Sequence, residues 1–163
     1  FTKKGFFRLS DIGYFDKKGF LYIGGRSDDV INVSGHRISS SEIESVCLSF
    51  NQIIDACAVA IPDSLSGNRV VLFINFEENN FNIQEDIKIK LKHTINKTLS
   101  SFHLPKEIYY FKNLPKTKSG KIMRRIMRDL AEKKEIDESQ DYSTLANNKE
   151  FLISRNIFIN QND

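Results

Sequence analysis

The chain has 163 residues, of which 40% are hydrophobic and 28% charged, values ordinary for a soluble globular domain with a leading segment. No stretch approaches the roughly 20 apolar residues that a membrane span needs. Its two cysteines, Cys47 and Cys57, form neither a disulfide framework nor a metal-ligand spacing, so we expect small core side chains in a reducing compartment. The start lacks a methionine, and we expect a piece of a longer protein.

The net charge of +3 is unevenly distributed. Residues 116–134 hold eight Lys or Arg against two acidic residues, a net of +6, which leaves about −3 for the remainder. Because the basic character belongs to one segment, the composition gives little support to a general nucleic-acid-binding role.

The patterns along the chain predict alternating strands and helices. In chain order we expect a hairpin over 12–24 ended by Gly24 and Gly25, a strand over 30–33, a helix with a Ser39/Glu42 capping box, strands over 53–61 and 70–76, a helix with an Asn82/Glu85 cap, a strand over 107–111, a loop over 114–120 and a helix with an apolar stripe over 122–130. The pattern over 151–159 fits no single element. The predicted fold is α+β: a leading hairpin, then a small mixed three-stranded sheet flanked by helices.

The first segment that indicates chemistry is 25–38, GRSDDVINVSGHRI. Arginine, two aspartates, glycine and histidine are concentrated in a short connector between strands. A solvated turn with surface ion pairs is the alternative, and spacing alone does not separate the two.

The second segment is 114–121, LPKTKSGK. Small residues and a glycine present Lys121 from a flexible loop just before a helix, as in loops that bind phosphate. The P-loop pattern is not met, because Pro115 stands where that motif begins with glycine and Ile122 follows the lysine. A solvated lysine-rich loop is the alternative.

Together, and in this order, the two segments resemble the motifs of the adenylate-forming superfamily of acyl-CoA synthetases, luciferases and peptide-synthetase adenylation domains. The resemblance runs from about residue 7 to 146. The strings NVSGHR at 32–37, IMRRI at 122–126 and DYSTLA at 141–146 are similar to acetyl-CoA synthetases. Propionyl-CoA and other short-chain acyl-CoA synthetases remain alternatives.

The resemblance implies roles around the adenylate. Asp11 matches the aspartate that binds the ribose hydroxyls, although Leu9 and Ser10 precede it where the family has Thr-Gly. Arg26 matches the arginine near the ribose, and Arg37 matches an arginine that approaches phosphate. Lys121 matches the lysine that bridges the substrate carboxylate and the α-phosphate. Lys121 is also the expected site of acetylation.

The resemblance further implies a hinge and a CoA channel. Asp28 matches the residue about which the C-terminal domain rotates. Gly35, with Ser34 beside it, matches the glycine that lines the channel for the CoA thiol arm. Lys97 stands near the position of an arginine that meets the CoA 3′-phosphate, and it would replace that arginine as a point charge.

From the resemblance we expect residues 1–28 to be the end of an N-terminal-domain segment with the hairpin and hinge, 29–134 the mobile C-terminal domain, and 135–163 a tail. Acetate, ATP and CoA are the expected substrates, with Mg²⁺ held by the N-terminal domain and no metal site here. That domain is the expected partner, with no nucleic acid and no membrane. A cytoplasmic location is expected, with the nucleus as an alternative.

Two other classes of function stay open. A basic helix over 121–134 that docks on polyanions needs none of Asp11, Asp28 or Gly35 and predicts salt-sensitive binding. A structural domain without chemistry is the third interpretation. The presence of both motifs favours an enzyme part, which alone would be inactive.

Overall fold

In the computed structural model, residues 5, 11–26, 29–77, 81–132 and 144–162 are described, with the backbone alone given for 24–26, 81–84, 161 and 162. The chain divides into two compact units, Phe1–Val30 and Ile31–Asp163. No helix in these ranges is long and apolar enough to cross a membrane.

The first unit contains an antiparallel hairpin of β1 (Asp11–Phe15) and β2 (Leu21–Arg26). The turn is held by Asp16, whose Oδ1 accepts the backbone N–H groups of Lys18 and Phe20 at 2.9 Å each. The predicted hairpin is confirmed. Gly24 and Gly25 do not end the strand, however, because an irregularity in the pairing opposite Ile12 and Gly13 accommodates the extra residue and β2 continues to Arg26.

The second unit begins at Ile31 and holds the remaining elements, apart from Val30, the first residue of β3. They are β3 (Val30–Val33), β4 (His36–Ser39), α1 (Ser40–Leu48), β5 (Ile53–Asp63), β6 (Gly67–Phe76), α2 (Phe81–Thr98), a 3-10 turn (Ser101–His103), β7 (Glu107–Tyr110), α3 (Arg124–Ala131) and α4 (Asn148–Asn162).

The central sheet has three strands in the order β5-β6-β7. β5 and β6 form a long antiparallel hairpin, whereas β6 and β7 are parallel. A parallel pair needs a crossover connection, and α2 supplies it. The predicted mixed three-stranded sheet is therefore confirmed.

Helices cover both faces of this sheet. Side chains of β6 alternate: Leu72 faces the cluster formed with α1 and α2, whereas Phe73 faces the cluster formed with α3 and α4. Both are fully buried, as the nearly unbroken apolar sequence of β6 predicts. Cys47 and Cys57 are buried core residues, as predicted.

Three details of the helices differ from prediction. Ser39 precedes α1 but makes no side-chain cap, because its Oγ pairs with Ser41 Oγ at 2.7 Å. Helix α2 begins at Phe81, before the predicted Asn82 cap. Helix α3 begins at Arg124, after the first two residues of the predicted stripe. Residues 151–159, whose pattern fits no single element, lie within α4.

Candidate functional site

Lys121 lies at the end of a closed turn. Lys116 and Ile122 are antiparallel bridge partners, and between them the Thr117 N–H donates to the Lys121 carbonyl at 2.9 Å. The Lys121 N–H donates in turn to Thr117 Oγ1 at 3.2 Å. Gly120 has φ of 82°, a left-handed conformation that glycine adopts without steric cost. The Lys121 side chain is exposed, so the turn presents a cation at the surface.

The N-terminus of α3 adds little to the positive charge at Lys121. The helix begins three residues later, at Arg124, and Met123 precedes it without a side-chain cap. The prediction that the helix begins directly after Lys121 is therefore wrong. The partial positive charge of a helix end acts mainly within the first turn. The geometry that presents Lys121 comes from the turn.

The base of this turn is fixed to β5 by an ion pair. Lys116 Nζ donates to both carboxylate oxygens of Asp55, at 2.8 and 2.7 Å. The two side chains are 32% and 20% exposed, so the pair is shielded better than an ordinary surface ion pair. The contact joins residues that are 61 positions apart in sequence.

The second candidate loop is the turn between β3 and β4. Ser34 has φ of 49° and Gly35 has φ of 83°, so two successive residues are left-handed. A Cβ placed on Gly35 would meet no described atom within 4 Å. Glycine is thus favoured here by backbone conformation, and the space in front of it is open within the described part of the chain.

The β5–β6 turn supports the Ser34–Gly35 turn. The Ser34 N–H donates to the Ser66 carbonyl at 2.8 Å, and Asn68 Nδ2 donates to the Asn32 carbonyl at 2.9 Å. Asp63 Oδ2 accepts the Ser66 N–H at 3.0 Å and also its hydroxyl. Hydrogen bonds from the Ser66 hydroxyl, then from its N–H, lower the pKa of Asp63, because they favour the carboxylate.

The two loops are therefore fixed at opposite ends of one strand. Asp55 lies near the start of β5 and Asp63 is its last residue. Eight residues separate them, which at roughly 3.3 Å each corresponds to about 26 Å along the strand. A partner surface smaller than this distance therefore cannot contact both loops at the same time.

The residues predicted near the ribose lie in the hairpin of the first unit. Asp11 and Arg26 are register partners across β1 and β2, so the fold brings their Cα atoms side by side. Asp11 is exposed. Asp28, the predicted hinge, lies outside the described residues.

The other two predicted cations lie on different elements. Arg37 is exposed on β4, two residues beyond Gly35, so it belongs to the Ser34–Gly35 loop region. Lys97 is exposed in the last turn of α2. No described hydrogen bond or ion pair joins Lys97 to either loop.

Sequence reasoning missed the residues that hold the loops in place. Asp55 and Lys116 pair at the base of the Lys121 turn, and Asp63 binds Ser66, which supports the Ser34–Gly35 turn. No sequence motif marks these contacts. Lys116 lies inside the predicted segment, but the pattern gives no sign that its partner is an aspartate on β5. The Lys116–Asp55 pair is recognised only from the folded structure.

The basic segment is less basic at its surface than its composition suggests. Arg124 forms an ion pair with Glu44 of α1, with Nε 3.3 Å from Oε1, and Lys116 is paired with Asp55. Carboxylates from other elements thus match two of the six cations that the structure describes in this segment. The polyanion-docking alternative, a basic helix over 121–134, is weakened because one of its cations, Arg124, is paired with a carboxylate.

The sequence of the chain is similar to one protein family and to several known enzymes. The family described as "AMP-binding enzyme C-terminal domain" matches residues 42–121. The chain is 38% identical over 144 residues to acetyl-coenzyme A synthetase 2 of Candida albicans, covering 88% of the chain and 21% of that protein. It is 41% identical over 145 residues to acetyl-coenzyme A synthetase of Cupriavidus necator, again covering 88% and 21%. The chain therefore spans about a fifth of the length of these relatives.

Solved structures share the fold. An acyl-CoA synthetase from Brucella canis superposes with a TM-score of 0.59 at 34% identity, covering 75% of this chain and 22% of that one. The likeness covers three quarters of the chain, far more than the two motifs alone. Through residues 42–121, which include the Lys121 turn, the chain belongs to the family of AMP-binding enzyme C-terminal domains.

Proposed function

We propose that the chain is the C-terminal part of an AMP-forming acetyl-CoA synthetase, which makes acetyl-CoA from acetate, ATP and CoA through an acetyl-adenylate. The observation that carries the proposal is the placement of the Lys121 turn and the Ser34–Gly35 turn at opposite ends of β5. Relatives of the same name, about 40% identical over most of the chain, support the choice of acyl group.

In the proposed first half-reaction, an acetate oxygen attacks the α-phosphorus of ATP and the bond to pyrophosphate breaks. Two anions must approach each other, and repulsion grows as the bond forms. Lys121 Nζ, presented by its closed turn, would lie between them and stabilise the concentrated charge. Asp11, Arg26 and Arg37 are proposed to contact the ribose and the phosphates of the adenylate.

In the proposed second half-reaction, the CoA sulfur attacks the acetyl carbon, the thiol proton is lost and AMP leaves. The Ser34–Gly35 turn would line the passage for the thiol arm, with the open space at Gly35 leaving room for it. Lys97 is proposed to meet the CoA 3′-phosphate.

The separation of the two loops supports a rotation of the domain between the two steps. We propose that the domain from residue 29 onward rotates about Asp28, so that Lys121 and then Gly35 face the N-terminal domain. No group of three or more His, Cys, Asp or Glu side chains in the described parts of the chain is placed to hold a metal ion. No step is therefore assigned to Mg²⁺ through these residues.

The experiment is product analysis with the full-length enzyme. Mass spectrometry of reactions containing ATP, CoA and equal acetate and propionate should give acetyl-CoA as the main thioester, with AMP and not ADP. Propionyl-CoA as the main product would move the chain to the alternative short-chain synthetases. The absence of any thioester would reject the proposal.

A further inference from the structure

The turn that carries Lys121 is built from two parts of the chain. Leu145 is the antiparallel bridge partner of Thr117, and the Ala146 N–H donates to the Lys116 carbonyl at 2.8 Å. Leu145 is only 5% exposed, which anchors the segment in the core between the sheet and α4. Residues 144–147 thus pair with the turn as an added strand would.

The side chain of Asn147 bonds to the backbone that leads into the turn. Its Oδ1 accepts the Lys116 N–H at 3.0 Å, and its Nδ2 donates to the Leu114 carbonyl at 2.8 Å. Both polar atoms of the amide therefore bond to the segment 114–116 that leads into the turn. An asparagine just before a helix commonly uses its side chain to cap that helix. Here it precedes α4, yet its amide bonds to residues 114 and 116.

The bonds form a short chain of contacts that leads to the functional lysine. Asn147 fixes the backbone of Lys116, the next residue Thr117 bonds twice to the backbone of Lys121, and Gly120 closes the turn. Asp55 fixes the Lys116 side chain from the other side. Loss of the Asn147 amide would leave that side chain held but would remove the two side-chain hydrogen bonds that fix the backbone at Leu114 and Lys116, so the turn that orients Lys121 would loosen.

From these contacts we infer that Asn147 is a positioning residue for adenylation, acting through the Lys116–Thr117 backbone on Lys121. The inference rests on the proposed function of Lys121. Asn147 touches no reacting atom; it sets where the lysine points. A misplacement of about 1 Å in such a group can reduce a rate about 100-fold.

The chain offers a matched control in Asn113. Its Nδ2 donates to Ser154 Oγ at 3.0 Å and to the Glu150 carbonyl at 3.4 Å, so it ties the same region to α4 without contacting Lys116. Asn113→Ala loosens the docking of α4, whereas Asn147→Ala loosens the turn. A general structural role would make the two variants alike.

The experiment uses the full-length enzyme with Asn147→Ala, Asn113→Ala and Lys121→Ala. Acetate-dependent pyrophosphate exchange measures adenylation, and consumption of supplied acetyl-adenylate by CoA measures the second step. Asn147→Ala should lower exchange about 10- to 100-fold while the second step, which needs a folded domain, is unchanged. Asn113→Ala should leave both steps unchanged.

If Lys121→Ala abolishes exchange, two results for Asn147→Ala would overturn the inference and leave the proposed function standing. The first is an exchange rate equal to wild type. The second is an equal loss of rate in both half-reactions. If Lys121→Ala itself retains exchange, the proposed function fails. The variant set therefore separates the two failures.

Discussion

Asp55 and Asp63 lie near opposite ends of the same strand; the first carboxylate holds the Lys121 turn directly, and the second supports the Ser34–Gly35 turn through Ser66. Asp55 binds Lys116 at the base of the lysine turn, and Asp63 binds Ser66, whose carbonyl receives the Ser34 N–H. β5 therefore acts as a spacer that keeps the proposed adenylation lysine, Lys121, and the proposed CoA turn apart. If the domain rotates between two steps, this separation allows one loop at a time to face the partner domain.

The Asp63 support should depend on pH in a defined direction. Hydrogen bonds from Ser66 lower the pKa of Asp63 below its ordinary value of 3.8 in the folded chain. Its stabilising contribution is thus present above that value and is lost as the pH falls through the lower, folded-state pKa. Asp63→Asn should lower the Tm of the chain at neutral pH, and the difference from wild type should shrink below pH 3.8.

Thermal unfolding followed by circular dichroism across this pH range tests the Asp63 contribution. Asp86→Asn, an exposed change on α2, is the control and should show little difference at any pH. A Tm difference for Asp63→Asn that stays constant from neutral to acid pH would contradict the role of the carboxylate.

The ion pair at the base of the turn should protect Lys116 from acylation. Its Nζ must leave both Asp55 oxygens before it can attack a reagent, whereas Lys118 and Lys121 are exposed. Breaking a charge-assisted hydrogen bond costs about 1.5 kcal/mol, or roughly a tenfold lower rate. With acetic anhydride, mass spectrometry should find Lys116 modified several-fold more slowly than Lys118.

Asp55→Asn supplies the matched comparison for the labelling experiment. It removes the charged acceptor and should raise labelling of Lys116 while that of Lys118 is unchanged. Equal labelling of the three lysines in the wild-type chain would show that the Asp55–Lys116 pair does not persist in solution.

Gly35 should be needed for the thioester step. Gly35→Leu places a branched side chain in the open space before the turn and also imposes left-handed strain of about 1–2 kcal/mol. Gly19→Leu imposes the same kind of strain, at φ of 85° with open surroundings, in the leading hairpin. In the full-length enzyme, stopped-flow measurement should show that Gly35→Leu forms acetyl-adenylate but reacts slowly with CoA, whereas Gly19→Leu reacts normally.

Equal slowing by the two leucine variants would mean that strain, not a blocked channel, is responsible. Normal CoA turnover by Gly35→Leu would reject the channel assignment outright.

The sequence predicted the core elements because their patterns are local. The unbroken apolar run 70–74 in β6 and the spacing of Ile87, Leu91 and Ile95 on α2 are determined by which side chains must be buried. Helix α4 was not predictable in this way. Its buried positions include the polar Ser154 beside Phe151 and Phe158, while the apolar Ile153 and Ile157 are exposed, so the helical period is hidden.

The site was predicted in part. The motifs identified Lys121 and Gly35, but nothing in the pattern distinguishes Asp55, Asp63 or Asn147 from ordinary surface residues. Their roles arise from contacts between distant segments, such as the 31-residue separation of Lys116 and Asn147. Strand β4 was missed for a related reason, since His36 and Arg37 are polar and the strand exists through its pairing with β3.

The most direct test of the account compares Lys121→Ala with Lys118→Ala in the full-length enzyme. Both lysines are exposed on the same turn, so the pair controls for charge and folding. Acetate-dependent pyrophosphate exchange should fall about 10²–10³-fold for Lys121→Ala and stay near wild type for Lys118→Ala. Conversion of supplied acetyl-adenylate to acetyl-CoA should continue in both. Exchange by Lys121→Ala that matches Lys118→Ala would contradict the central claim.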